Sequence, residues 1–238
     1  MSDVSDASPR LTAKRRAVRR RRLVRIGVAA LLLMFVAGAA LVVGVSRVFD
    51  LRVVMVEGNE IVSGSQLVTT ADALIGTPMV WVDTGLIAGR VASIPAVESA
   101  TVSTRWPHTI VVHVTERTLV VQRVHGASWQ WVDRSGVVFH ETPDKTDGVV
   151  VVQTASVENR YLADAVTVAG TLTPQLLERL QYVRVDAPDQ ITLVLADGQS
   201  VVWGSAEEST TKAQVATALL AVDATVYDVS SPSTPTSR

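Results

Sequence analysis

The sequence predicts an α+β protein: a single N-terminal transmembrane helix, then a β-α-α-β-β module, then a strand-rich β domain with flanking helices. Three observations predict it. An uncharged run of 20 residues, IGVAALLLMFVAGAALVVGV at 26–45, follows a strongly basic leader. Residues 49–117 alternate strand and helix signals. Residues 118–230 are dominated by short strand signals broken by turn residues. At 238 residues and 47% hydrophobic, the chain is too apolar for a disordered protein and long enough for more than one domain.

The N-terminal elements follow from charge and length. Residues 1–25 carry nine basic groups against Asp3 and Asp6, a net of +7, and read as a basic cytoplasmic tail. The other residues carry 13 basic and 21 acidic groups, a net of −8. A helix over the apolar run spans about 30 Å, the hydrocarbon thickness of a bilayer. The transmembrane segment is placed at 26–46, and the positive-inside rule puts residues 47–238 outside the cytoplasm. Ala37-Gly38-Ala39 has the small-x-small look of a signal cleavage site, but the run is longer than a signal peptide's apolar core. The cations Lys14–Arg25 are assigned to orientation and anionic lipid, not to nucleic acid. Ala40 and Gly44 form a small-xxx-small pair that allows for a weak homodimer.

The exterior elements are justified in order. Leu51–Val56 alternates as a short strand and ends at Gly58-Asn59. Ser63-x-x-Gln66 has capping-box spacing, with Leu67, Ala71 and Leu74 on one helix face. Gly76-Thr77-Pro78 stops that helix. Asp83 caps a second one bearing Ile87, Val91 and Ile94, ended by Pro95. Val97–Thr104 is a strand, Trp106-Pro107 a corner, and Thr109–Thr115 a strand with Ile110, Val112 and Val114 inward. Further strands are expected at Leu119–Val124, Trp129–Asp133, Val137–His140, Val149–Gln153, Tyr182–Asp186, Ile191–Leu195, Ser200–Trp203 and Thr225–Val229. Asp133-Arg134-Ser135-Gly136 and Asp197-Gly198 read as hairpin turns. Helices are expected at 158–170, at 174–181 after Thr173-Pro174, and at 206–222. The last has a Ser205-x-x-Glu208 capping box, a Glu208/Lys212 pair and a face of Val215, Leu219 and Val222. Residues 231–238, SPSTPTSR, read as a disordered tail.

Several motifs recur in a fixed order. They are Val54-x-Val56-x-Gly58-Asn59, Gly76-x-x-Met79-x-x-Val82-Asp83 and Ile94-Pro95-x-Val97-x-Ser99-Ala100. Arg105-Trp106-Pro107-x-Thr109 and Val114-x-Glu116-Arg117 follow, then Trp131-Val132-Asp133-x-x-Gly136-Val137-Val138-Phe139. Leu195-x-Asp197-Gly198, Val202-Trp203-Gly204 and Lys212 come last. From the anchor to about Val229 the chain resembles the FtsQ/DivIB cell-division proteins, in an actinobacterial-type version. The resemblance implies a POTRA module at 49–117 and an FtsQ-type β domain at 118–230. Thr118-Leu119-Val120 stands where the family often has proline after the Glu-Arg pair, which touches only the local loop.

No catalytic constellation is legible. Zero cysteines exclude a disulfide scaffold, a Cys-ligated metal and a cysteine nucleophile. His108, His113, His125 and His140 lack zinc spacing, and the sequence has no serine-hydrolase elbow or phosphate loop. Glu207-Glu208 reads as acids of a first helical turn. Trp106 and Trp131 are expected to pack in corners or core and not to stack on sugars. Glu116-Arg117 fits a domain-boundary ion pair or a partner contact equally well. The chain is therefore read as a non-enzyme that needs no cofactor or metal. The alternatives are an anchored cell-wall enzyme and a secretion or assembly POTRA protein.

The resemblance implies a septal, single-pass scaffold that joins early and late division proteins. It implies binding of FtsB/DivIC-type and FtsL-type single-pass partners, and through them influence on septal peptidoglycan synthases. The partner-binding residues are expected to be the final strand, Thr225, Val226, Tyr227, Asp228 and Val229, with Lys212 on the preceding helix. The physical reason is that a terminal strand offers an unpaired sheet edge, with Tyr227 as a large amphipathic contact; the alternative is that Tyr227 packs in the core and Lys212 pairs only with Glu208.

Overall fold

The first element, α1, runs from Ser8 to Val45 and joins most of the basic leader to the apolar run in one helix. This computed structural model describes residues 8–45, 47–72, 74–156 and 158–238, so the first seven residues of the basic tail lie outside it. At 1.5 Å per residue α1 is about 57 Å long. Within it Arg21–Val42 is long and apolar enough to cross a bilayer, and none of that apolar stretch is buried within the protein. One such helix at the N-terminus fits a single-pass anchor.

A 3-10 turn at Arg47–Phe49 leads into the first module after the helix. Its elements are β1 (Val53–Glu57), α2 (Gly64–Asp72), a 3-10 turn at Met79–Trp81, α3 (Thr84–Ala92), β2 (Val97–Arg105) and β3 (Thr109–Glu116). This is the β-α-α-β-β order that the alternation predicts. The strands lie in the order β1-β3-β2, with β3 parallel to β1 and antiparallel to β2. Period-2 alternation turns Val54 and Val56 inward and leaves Val53 and Met55 exposed. Asp83 caps α3 by accepting the Leu86 N–H at 3.0 Å, and Ile87 and Val91 are then fully buried. Gly58 has φ +87°, and a Cβ there would sit 2.3 Å from the Val114 carbonyl oxygen, so the turn after β1 requires glycine.

The second module contains β4 (Val121–His125), β5 (Ser128–Val132), β6 (Val138–Thr142), β7 (Val150–Gln153), α4 (Asn159–Ala169) and α5 (Pro174–Arg179). It continues with β8 (Leu180–Ala187), β9 (Gln190–Leu195), β10 (Ser200–Gly204), α6 (Ser209–Leu219), β11 (Val226–Asp228) and β12 (Thr236–Ser237). They form one nine-stranded sheet in the order β12-β11-β10-β9-β8-β7-β4-β5-β6. The helices serve as crossovers: α4 and α5 join parallel β7 and β8, and α6 joins parallel β10 and β11. Val152, Leu162, Leu176, Leu193, Val201 and Trp203 centre the core between helices and sheet.

Three expectations are corrected. The tail 231–238 is ordered: it turns back, and Thr236–Ser237 pairs antiparallel with β11. Its composition carries no apolar signal, because backbone bonds hold it. The last helix begins at Ser209 and ends at Leu219, since Glu208 takes a left-handed φ of 53° and makes no side-chain cap. Glu207-Glu208 therefore precedes the helix, and Val222 lies beyond it, exposed. Trp106 lies at the corner after β2, 50% exposed and edge-on to Phe49.

Candidate partner-binding surfaces

The C-terminal end of the sheet departs most from expectation. β11 is paired on both sides, parallel to β10 through Val201↔Tyr227 and antiparallel to β12 through Tyr227↔Ser237 and Asp228↔Thr236. Arg238 closes the β12 ladder by exchanging bonds with Val226 in both directions, each 3.0 Å, and its carbonyl also accepts the Thr225 N–H at 2.8 Å. The expected edge on Thr225–Val229 is therefore occupied by the chain's own end. The outermost strand is β12, two residues long and preceded by Pro235. Because residues 226 and 238 exchange both bonds, the alternation of an antiparallel ladder turns the Ser237 N–H and C=O away from β11.

Tyr227 is not an exposed anchor. It is fully buried, and its hydroxyl donates to the Val222 carbonyl at 2.8 Å. Val229 is buried with it, and Val226 and Asp228 alternate to the more exposed face. Lys212 is buried too, at 2% exposure, and its ammonium donates to the Ser205 carbonyl at 2.9 Å instead of reaching for a partner. Burial pushes its pKa below the ordinary lysine value, a shift that Glu208 and Glu207 oppose. Its role is to tie the 205–208 turn to α6. In the same turn the Trp203 indole N–H donates to the Ser209 hydroxyl at 3.0 Å. Gly204, at φ +74°, holds the backbone close to Ser230.

At the other end, Glu116 fastens a loop within the first module and Arg117 ties the two modules together. The Glu116 carboxylate accepts the N–H groups of Ile61 and Val62 at 2.7 and 2.8 Å, fastening the loop after Gly58 and Asn59. Asn59 donates to the Val62 carbonyl at 2.9 Å. Arg117 reaches across the boundary, donating to the Pro95 carbonyl at 3.0 Å and pairing with Asp133. Asp133 is buried and also accepts Ser135 N–H and Val137 N–H at 2.8 Å each, which shapes the turn ending at Gly136. Gly136 has φ +78°, and a Cβ there would meet α4 backbone atoms at 2.5 Å. Phe139 of β6 is buried in the first module's apolar cluster, and Trp131 packs against the same cluster. The boundary ion pair is thus the reading of Arg117 that the geometry supports. Phe139 enters a core that sequence periodicity alone does not reveal.

The remaining predicted residues fall at turns. Asp197 accepts the Gln199 N–H at 3.1 Å and pairs with Arg179, which holds its carboxyl below the usual range; Gly198 follows at φ +85°. Trp106-Pro107 forms the β2–β3 corner with a cis bond. His113 pairs with Glu57 at 3.2 Å and His125 with Glu141 at 3.6 Å, both at exposed positions. Among the described residues no three His, Cys, Asp or Glu side chains converge as a metal site would require. The chemistry this arrangement offers is edges and faces for contact.

Comparison with known proteins agrees. A family model described as POTRA domain, FtsQ-type matches residues 49–117, and one described as cell division protein FtsQ/DivIB, C-terminal matches 120–230. The chain is 32% identical over 234 residues to cell division protein FtsQ of Streptomyces collinus, covering 92% of this chain and 89% of that one. It is 33% identical over 233 residues to FtsQ of Streptomyces coelicolor, covering 91% and 88%. It is 32% identical over 212 residues to FtsQ of Mycobacteroides abscessus, covering 86% and 68%. Among solved structures, the major extracytoplasmic domain of the trans isomer of the cell division protein DivIB from Geobacillus stearothermophilus aligns at a TM-score of 0.36 and 12% identity. That alignment covers 45% of this chain and 93% of that one. With both modules matched and relatives aligned over most of their length, the chain belongs to the FtsQ/DivIB family of bacterial cell-division proteins.

Proposed function

We propose that the protein is a membrane-anchored divisome scaffold that links early and late division proteins. It helps control septal peptidoglycan synthesis by binding FtsB/DivIC-type and FtsL-type single-pass partners. The basic tail stays in the cytoplasm and both modules stand outside, at the division septum. The protein acts by recruitment and positioning, with no bond made or broken. Family membership supports the division role. The observation that carries the binding reading is the end of the nine-stranded sheet, where a two-residue strand leaves the Ser237 N–H and C=O pointing outward. An incoming strand of the partner would add there, with main-chain bonds giving affinity. The first module offers a second edge, the outer side of β1, for recruiting other division proteins.

Ser237→Pro tests this in the full-length protein. It removes the outward donor and spares the Val226–Arg238 bonds. Capture of an FtsB/DivIC-type partner should weaken about 2–10-fold, the effect of one main-chain hydrogen bond. Wild-type capture by a folded Ser237→Pro protein contradicts binding at this edge.

A further inference from the structure

We propose that the membrane-facing end of the first module is seated in the lipid headgroup layer next to the anchor, with Trp81, Val80, Ile75 and Trp106 as its lipid contacts. This rests on the anchor reading of α1.

Chain length and stitching come first. Leu51 donates to the Thr77 carbonyl and accepts from the Gly76 N–H, each at 2.9 Å, and Asp50 bridges to Pro78. The His108 carbonyl accepts from Arg52 and Val53 at 2.9 and 3.2 Å. Residues 50–53 thus carry the 75–81 segment and the 106–108 corner with them. They begin five residues after α1 ends at Val45. Eight residues, three of them wound as a 3-10 turn, reach at most about 23 Å. The two segments cannot stand far from the bilayer.

Phe49 and Trp106 also place the module beside α1. Phe49 shares an open apolar hollow with Phe35, Ala39 and Val42 of α1. The Trp106 ring lies edge-on to Phe49 with centroids 5.9 Å apart. Trp106 is therefore one ring away from the apolar span.

Exposure and chemistry come last. Trp81 is 70% exposed, and Trp106, Val80 and Ile75 are each about half exposed. Scattered single apolar residues on a surface carry no meaning, but these belong to two segments fastened to the same short stretch of chain. Tryptophan has an apolar body and an N–H that prefers water, which suits the headgroup zone. Arg47 and Arg52 are exposed on the same connection and can meet phosphate esters. A lipid surface accepts all of these together. Seating it would fix the tilt of the first module and the height at which the rest of the chain presents its edges.

The sequence contains no cysteine, so single labels can be placed at will. Full-length protein carrying a nitroxide at Val80→Cys, Leu33→Cys or Val222→Cys is reconstituted into phosphatidylethanolamine/phosphatidylglycerol vesicles. Collisions with oxygen report lipid, and collisions with a nickel chelate report water. Val222 is an exposed control beyond α6, next to β11. The oxygen-to-nickel ratio at Val80 should exceed that at Val222 several-fold and lie below that at Leu33. Adding Trp81→Ser to the Val80 label should lower its ratio toward that of Val222. A Val80 ratio equal to that of Val222, with Leu33 reading as lipid, overturns the seating and leaves the anchor intact. A water-like Leu33 overturns the anchor reading and the seating together. Shielding of Val80 from both reagents means a protein occupant and overturns the lipid assignment.

Discussion

The nine-stranded sheet has two edges, and the chain treats them oppositely. At β6 the sheet is joined to the first module by side chains. Phe139 is buried in that module's core, and the buried Asp133 meets Arg117 and two backbone donors. At β12 the sheet ends in two exposed residues held to β11 by backbone bonds. The first edge fixes how two modules sit together, through buried side chains. The second leaves main-chain groups that a foreign strand can use without disturbing a core. Stability thus lies at one end of the sheet, and the proposed binding lies at the other.

Breaking the closed end has the largest expected effect. Asp133→Ala leaves Arg117 and the Ser135 and Val137 N–H groups without their acceptor, at a cost of about 3–5 kcal/mol. Thermal unfolding of the full chain in nanodiscs should begin ~10 °C earlier. An unchanged midpoint means that the junction does not hold the modules. Phe139→Ala should cost about 3 kcal/mol as a core truncation. Its signature is faster amide exchange at Leu51, Ile110 and Val112 in the first module, with β8–β10 still protected. Loosening confined to the β domain argues against a shared core.

The open end is sharpened by smaller changes. Tyr227→Phe removes the hydroxyl that donates to the Val222 carbonyl at 2.8 Å and reaches Gln199 at 3.5 Å, and should cost about 1 kcal/mol in urea unfolding, with partner capture unchanged. A large loss of capture by a folded Tyr227→Phe protein would return this side chain to the interface. The smallest effect belongs to Arg134→Ala. Its pair with Glu98 spans the modules but is largely exposed, so stability should fall by less than about 1 kcal/mol.

The legible parts of the structure are those with local physical signals. Alternation through Ile110, Val112 and Val114, the caps at Asp83 and Thr173, and the turns at Asp133 and Asp197 are each dictated by neighbours in sequence. The burial of Tyr227 was also available. Tyr227 and Val229 alternate with Asp228, and that period argues for one inward face. Two features were not legible. β12 is polar and proline-flanked, so only its register against β11 defines it as a strand. Phe139 reads as an ordinary strand residue, because the core it fills is built from residues far away in the chain. The Ser205/Glu208 pattern misled because capping-box spacing does not fix the backbone, and Glu208 adopts a left-handed conformation.

The contrast between the two edges is tested most directly by photocrosslinking in dividing cells. A photoreactive residue is placed at Ser237 on the open edge or at the exposed Glu141 on β6, in the full-length protein. The account predicts that Ser237 captures a small single-pass division protein and that Glu141 does not. Capture from Glu141 and none from Ser237 would contradict it.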